Sequence, residues 1–307
     1  MDKKELPMGS WCPAKVAFLL FISLALLWVP PQSAAGQAKT GTNKSQTAQG
    51  TALSAEQVLA DPGILHQRLK LKNPDYNGQA QFASDPALGL AADFTGSKIS
   101  DLSGLAGIPF NALDLRGQPV SDLKPLRSMP LRILGIEDTR VADLTPVKGM
   151  KLEKLYLNNT PISDLRPLNG MPLKELMLSG TKVKDLKPLH GAPLQELWLN
   201  DTPVSDISPL AGGALTSLTL EGTKVADLKP LSKMTSLKRL HIGNTPVSDI
   251  SPLKTLKLER LIFTPKNIHK GLYVARNMKT LMEVGTTLET RMPPEQFWSR
   301  YDRKKGE

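Results

Sequence analysis

LKELMLSGTKVKDLKPL occupies residues 173–189, and LQELWLNDTPVSDISPL occupies 194–210, the same pattern 21 residues on. Both contain the phrase Thr-x-[Val/Ile]-x-Asp-[Leu/Ile]-x-Pro-[Leu/Val], which recurs at 139–147, 160–168, 181–189, 202–210, 223–231 and 245–253. A self-similar period in the low twenties implies stacked units rather than one globular core. Working outward, Leu113, Leu134, Leu155, Leu176, Leu197 and Leu218 keep a spacing of 21; Leu240 follows after 22 and Leu261 after 21. Two residues after each stands Leu115, Ile136, Leu157, Leu178, Leu199, Leu220, Ile242 or Phe263.

Alternation across Leu-x-Leu is the period of a strand, with one set of side chains inward and the other outward. The following segment cannot continue as a long helix. Proline recurs at 125, 146, 167, 188, 209, 230 and 252, and it removes a backbone donor and clashes inside an α-helix. Each unit is therefore expected to be one short strand followed by a tight 3₁₀ return, stable only when neighbours bury both of its faces.

The ends of the chain read differently. Lys3, Lys4 and Lys15 precede an apolar stretch from Val16 to Val29, which Pro30 and Pro31 end. Small residues follow, with cleavage positions after Ala35 or Ala38. This order of charged, apolar and small residues is that of a secretory signal, and the apolar stretch is shorter than the ~20 residues of a membrane span. Export is therefore expected, to the periplasm, cell surface or medium, with an uncleaved N-terminal anchor as the alternative. Cys12, the only cysteine, precedes the apolar stretch, so the exported part has no thiol for a disulfide or zinc site. Removing residues 1–38 leaves 36 basic and 27 acidic side chains, a surplus that favours anionic partners.

The organisation expected is a signal peptide over 1–38, a flexible polar linker over 39–53, an N-terminal helical cap over 54–85, repeats over 86–266 and a C-terminal helical cap over 267–307. Ser54 with Gln57 forms a capping box, and Asp61 before Pro62 is a second helix start. Asn267 is expected to cap a helix carrying Ile268, Leu272, Ala275 and Met278 on one face. Leu281–Val284 reads as a last strand, and Phe297, Trp298 and Tyr301 as a bulky lid.

This pattern resembles the leucine-rich repeat family in its short, internalin-like class, and eight rungs of 86–266 keep register with it. More narrowly, the chain is similar to exported leucine-rich repeat proteins of planctomycete-type bacteria. That likeness rests on Leu71, Asn73, Pro74, Tyr76 and Gly78 before the array, Phe263–Ile268 after it, and Pro293, Pro294, Phe297, Trp298, Tyr301 and Asp302 at the end. The resemblance implies an α/β solenoid: a horseshoe with a parallel β-sheet on its concave face, 3₁₀ turns on its convex side and helical caps at both ends. It also implies binding of partners, usually proteins, on the concave face. Similar arrays are sometimes fused to kinases, but no Gly-rich nucleotide loop, His-Arg-Asp or Asp-Phe-Gly motif occurs here.

Several columns invite chemistry. The aspartates at 122, 143, 164, 185, 206, 227 and 249 suggest calcium, yet each rung offers only one, and an aspartate there caps the N–H groups of a turn. The threonines at 139, 160, 181, 202, 223 and 245 are expected to join neighbouring rungs in a buried ladder. His66, His190, His241 and His269 lack metal-ligand spacing. Arg140, Lys182 and Lys224 alternate with Pro119, Pro161, Pro203 and Pro246 in a doubled period of 42. Glu175 and Glu196, equivalent positions on adjacent strands, fall within range of a retaining glycosidase pair, but an open sheet gives no pocket to separate their acidities.

The outward position between the two strand leucines reads Asp114, Gly135, Tyr156, Met177, Trp198, Thr219, His241, Ile262. With rungs ~4.8 Å apart, Tyr156, Met177 and Trp198 are expected to form an exposed apolar ridge. Lys154, Glu175, Glu196 and Arg239 would flank it on one side and Asn158 and Asn200 on the other. The expectation is a non-enzymatic, monomeric binding protein with no cofactor, metal, nucleic acid or small-molecule substrate. It would take a protein partner on these residues and His241. The alternative is an envelope attachment module that holds acidic polysaccharide or lipid on a basic edge.

Overall fold

The computed structural model of the chain describes residues 53–306. The expected signal peptide and all but the last residue of the expected linker lie outside the described residues. Among those described, no helix is long and apolar enough to cross a membrane.

Two helices open the fold, α1 (Ala55–Ala60) and α2 (Pro62–Lys72). The Ser54 hydroxyl accepts from Gln57 N at 3.2 Å, while the Gln57 side chain accepts from Ser54 N at 2.8 Å. Asp61 caps α2 by accepting from Gly63 N at 3.0 Å. An eleven-stranded sheet follows in chain order: β1 (Gln81–Asp85), β2 (Gly89–Asp93), β3 (Ala112–Asp114), β4 (Ile133–Gly135), β5 (Lys154–Tyr156), β6 (Glu175–Met177), β7 (Glu196–Trp198), β8 (Ser217–Thr219), β9 (Arg239–Ile242), β10 (Arg260–Phe263) and β11 (Glu283–Gly285). From β2 onward all pairings are parallel, and Leu134, Leu155, Leu176, Leu197, Leu218 and Leu240 face one another rung by rung. Each of these leucines is 0–1 % exposed, and each contributes about 1.5–3 kcal/mol of burial.

β1 adds a strand between the two cap helices and the array. It pairs antiparallel with β2, Phe82 opposite Ala92. Asp85 makes the hairpin turn by accepting from both Ala87 N and Leu88 N at 2.8 Å, the local hydrogen bonding that suits aspartate to turns. Asn73 ties the helices to the first rung: its Oδ1 accepts from Ser100 N and Asp101 N at 2.8 Å, and its Nδ2 donates to Asp101 O at 2.9 Å.

On the side opposite the sheet, every rung turns through a 3₁₀ segment such as Thr145–Val147 or Lys187–Leu189. Proline sits second in the repeat turns, where its missing N–H is not needed. The aspartate column caps these turns, Oδ1 accepting from the backbone N two residues on at 2.7–2.9 Å in every rung. The threonines behave differently from expectation. Each Oγ1 donates to the carbonyl three residues earlier in its own rung at 2.6–2.7 Å, as Thr181 does to Leu178 O. They lock the bend from strand to return and do not bridge rungs, because a buried hydroxyl takes the nearest free carbonyl.

At the strand exit, left-handed Asn159 and Asp201 alternate with left-handed Gly180 and Gly222. A Cβ on Gly180 would lie 2.5 Å from Asn159 Oδ1, and one on Gly222 only 2.2 Å from Asp201 Oδ1. The glycine of every second rung thus makes room for the side chain of the rung before it.

The first C-terminal helix begins later than Asn267. A single 3₁₀ turn ends there, and α3 (Leu272–Asn277) starts after a left-handed Gly271. Asn267 Nδ2 instead donates to Thr245 O at 3.2 Å, holding the chain against the previous rung. α4 (Pro294–Gly306) lays Phe297 and Trp298 on Phe263, ring centroids 6.0 and 6.3 Å apart, with the Arg276 guanidinium 4.6 Å above Trp298. An antiparallel bridge from Val284 to Met292 covers the edge of β11, which blunts an otherwise open sheet edge.

Candidate functional site on the sheet face

The outward column is in register as expected, with Tyr156 beside Met177 and Met177 beside Trp198. It is not an exposed ridge. Tyr156 is 4 % and Met177 1 % exposed, and the two form a cluster with Ile133 and Trp198. Side chains this long on strands ~4.8 Å apart lean onto one another and bury their flanks. Trp198 alone of the three keeps partial exposure, because its next neighbour is the small Thr219. Tyr156 and Met177 are therefore a floor, and Trp198 is the apolar group that meets solvent.

The flanking charges are engaged with one another. Lys154 Nζ lies 2.6 Å from Glu175 Oε1, whose other oxygen accepts from the Tyr156 hydroxyl at 2.9 Å. Arg239 reaches across β8 to Glu196 at 3.0 Å. Glu153, outside the set chosen from sequence, bridges Arg132 at 2.6 Å and Lys174 at 2.7 Å, and these hydrogen bonds hold its carboxyl below the usual carboxylate range. Glu175 and Glu196 are thus held by separate cations, not arranged as an acid–base pair. Asn158 Oδ1 accepts from Ser179 N at 2.9 Å, leaving Asn158 as much a rung-to-rung brace as a contact residue.

His241 also departs from expectation. It is 3 % exposed, and burial pushes its pKa down to about 4, so the ring is neutral at pH 7. Glu221 Oε2 stands 3.6 Å from Nε2, too far for a hydrogen bond. A Cβ on the adjacent Gly243 would lie 3.4 Å from Thr286 O, so the segment after β11 crowds this end of the column. Around Trp198 four buried polar atoms, Trp198 Nε1, Asn200 Oδ1, Thr219 Oγ1 and Ser179 Oγ, have no protein hydrogen-bond partner.

A second cluster, at β3 and β4, escaped the sequence reading. Asp114 is 2 % exposed and joined to Arg116, whose Nε lies 3.7 Å from Glu137 Oε2. Burial pushes the Glu137 pKa up to about 7 against the opposing pull of Arg116, and burial likewise raises that of Asp114. Gly135 makes the cluster fit: a Cβ there would stand 3.3 Å from both Asp114 Oδ1 and Glu137 Oε2. The signal in sequence was the lone glycine in a column of larger residues. Among the described residues, no group of three or more His, Cys, Asp or Glu side chains is placed to hold a metal ion.

A family model described as leucine-rich repeats, two copies, matches residues 214–255. Among solved structures, an internalin of Listeria monocytogenes, InlF, is similar at 30% identity and a TM-score of 0.58, over 61% of this chain and 58% of that one. Internalin C2 of the same organism aligns at 23% identity and a TM-score of 0.55, over 65% of this chain and 92% of that one, a likeness of fold. The chain spans little more than half the length of the InlF chain it matches. No curated protein matches the sequence.

Proposed function

We propose that this chain, a leucine-rich repeat protein similar to Listeria internalins, is an exported, non-catalytic binding protein that takes a protein partner on its sheet face. One observation carries the reading. Trp198 stands partly exposed on a floor of Tyr156 and Met177, the apolar group of that column that meets solvent. A partly exposed tryptophan on a packed support, rimmed by charged side chains, is the composition of an interface hot spot. The ion pairs Lys154–Glu175 and Glu196–Arg239 frame it and select by charge at its rim. Export rests on the order of residues 1–38, charged then apolar then small. Non-catalytic action is supported by the engagement of Glu175 and Glu196 with cations and by the fold itself.

The test places a photo-crosslinking residue at Asn200, or at Ser205 on the opposite side, in the full chain made by its own cells. A discrete protein adduct from position 200 that disappears with Trp198→Ala is expected. Adducts that survive that substitution, or that form only from position 205, reject this surface.

A further inference from the structure

We propose that the face opposite the sheet holds an extended acidic polysaccharide lengthwise across its rungs. The inference is independent of the sheet-face reading and rests on a doubled period in the returns. The return of 139–152 carries three lysines and arginines against one aspartate, and 181–194 and 223–236 carry the same. Between them, 160–173 carries one against one, and 202–215 none against one. Across 139–236 positive charge therefore pulses on every second rung, an interval of about 10 Å for two strand spacings, while the outer returns 118–130 and 245–257 carry two against one.

The backbone hydrogen bonds follow the same phase. Arg140, Lys182 and Lys224 donate their N–H to Val120, Ile162 and Val204 of the preceding rung at 2.8–2.9 Å. At the intervening rungs Pro161 and Pro203 have no N–H to give. The side chains of Arg140, Lys182, Lys184 and Lys224 are exposed, and the aspartate of each rung is already engaged as a turn cap. In the neutral rung between the first two, Arg166 is turned back onto Asp164 at 2.8 Å. At one end of the same returns a groove of about 700 Å³ is lined by Arg127, Lys148 and Lys151, and by Arg132, which Glu153 engages.

The spacing selects the ligand. A nucleic-acid strand carries a charge about every 3.4 Å, denser than this comb, and single strands want aromatic platforms. The exposed large apolar side chains of the described residues, Leu59, Ile64, Leu71, Tyr273 and Met282, all lie in the caps, so these returns offer nothing to stack on or to insert into a bilayer. A polysaccharide with one acidic group per disaccharide presents its charges at wide, regular intervals and needs neither.

The experiment titrates the purified protein, freed of residues 1–38 as export would leave it, with hyaluronate oligosaccharides of increasing length at low and physiological ionic strength. Single-stranded DNA and phosphatidylglycerol vesicles serve as comparison probes. Affinity should rise in steps as the oligosaccharide reaches a second and a third basic rung, and fall with salt. The triple variant K182E/K184E/K224E should weaken it by about tenfold or more, as loss of several contacts to a polyanion does, while W198A leaves it unchanged. Lys182→Gln alone should give a smaller loss with the fold intact by circular dichroism. Binding that ignores the triple variant, the absence of hyaluronate binding at low salt, or preferential binding of DNA or vesicles would each overturn the proposal.

Discussion

The two faces of the array are made by the same rungs yet treat charge in opposite ways. Across residues 118–257, the returns carry fourteen lysines and arginines against seven aspartates, while the strand side carries five against seven acids. On the sheet, cations and carboxylates of neighbouring strands close into pairs such as Lys154–Glu175 and Arg132–Glu153–Lys174. On the returns, the aspartates turn inward to the backbone and leave the alternate-rung lysines facing solvent. Strand positions are fixed by ladder hydrogen bonds at one spacing, so long side chains meet across rungs. One return position alternates between proline and a basic residue, so Arg140, Lys182 and Lys224 stand two rungs apart.

This contrast can be broken by substitution. The largest effect is expected at Tyr156→Ala, which removes a buried floor residue and should cost about 3 kcal/mol in chemical denaturation. Trp198→Ala should cost far less stability and act on binding. If Tyr156→Ala proves neutral to stability, the floor assignment fails.

Glu137→Gln tests the buried carboxylate. A folded pKa of about 7 against an ordinary 4.5 means the folded state holds the proton more tightly than the unfolded one. The associated stability is fully present below about pH 4.5 and is lost as pH rises through about 7. Glu137→Gln should therefore be more stable than the parent at pH 8, by about 1–3 kcal/mol, with the gap closing toward pH 4.5. Thermal melts across that range would show it, and a pH-independent difference would contradict it.

On the returns, Asp185→Ala deletes one turn cap and should cost about 1 kcal/mol, measurable as a shift in urea midpoint without change in slope. The smallest effect is expected for K182E/K184E. Their side chains are solvated and have no ion pair among the described residues, so stability should change by less than about 0.5 kcal/mol. A larger loss would mean that the basic comb is structural.

Much of the fold was legible because its determinants are local and repeated. The leucine columns, the prolines of the 3₁₀ turns and the capping aspartates each follow from a residue's own backbone needs, and the structure places them accordingly. Ser54, Asp61 and the aromatic lid at Phe297 and Trp298 were readable for the same reason. The antiparallel β1 was not: Gln81–Asp85 has no strong strand pattern and pairs only because β2 offers an open edge. At the sheet-face site the membership of the column was legible, but the exposure of its members was not. Nor was the Asp114–Arg116–Glu137 cluster, which needs residues from two rungs and a missing Cβ at Gly135 to exist.

From the order of residues alone came the rung, its 21-residue pitch, the in-or-out alternation of every strand side chain and the two-rung phase of proline and lysine, because each depends on neighbours along one chain. Whether Tyr156 meets solvent, which carboxylate Arg239 finds, and where His241 is sealed depended on the third dimension. Those outcomes are set by side-chain lengths measured against the gap between adjacent rungs and by groups dozens of residues apart.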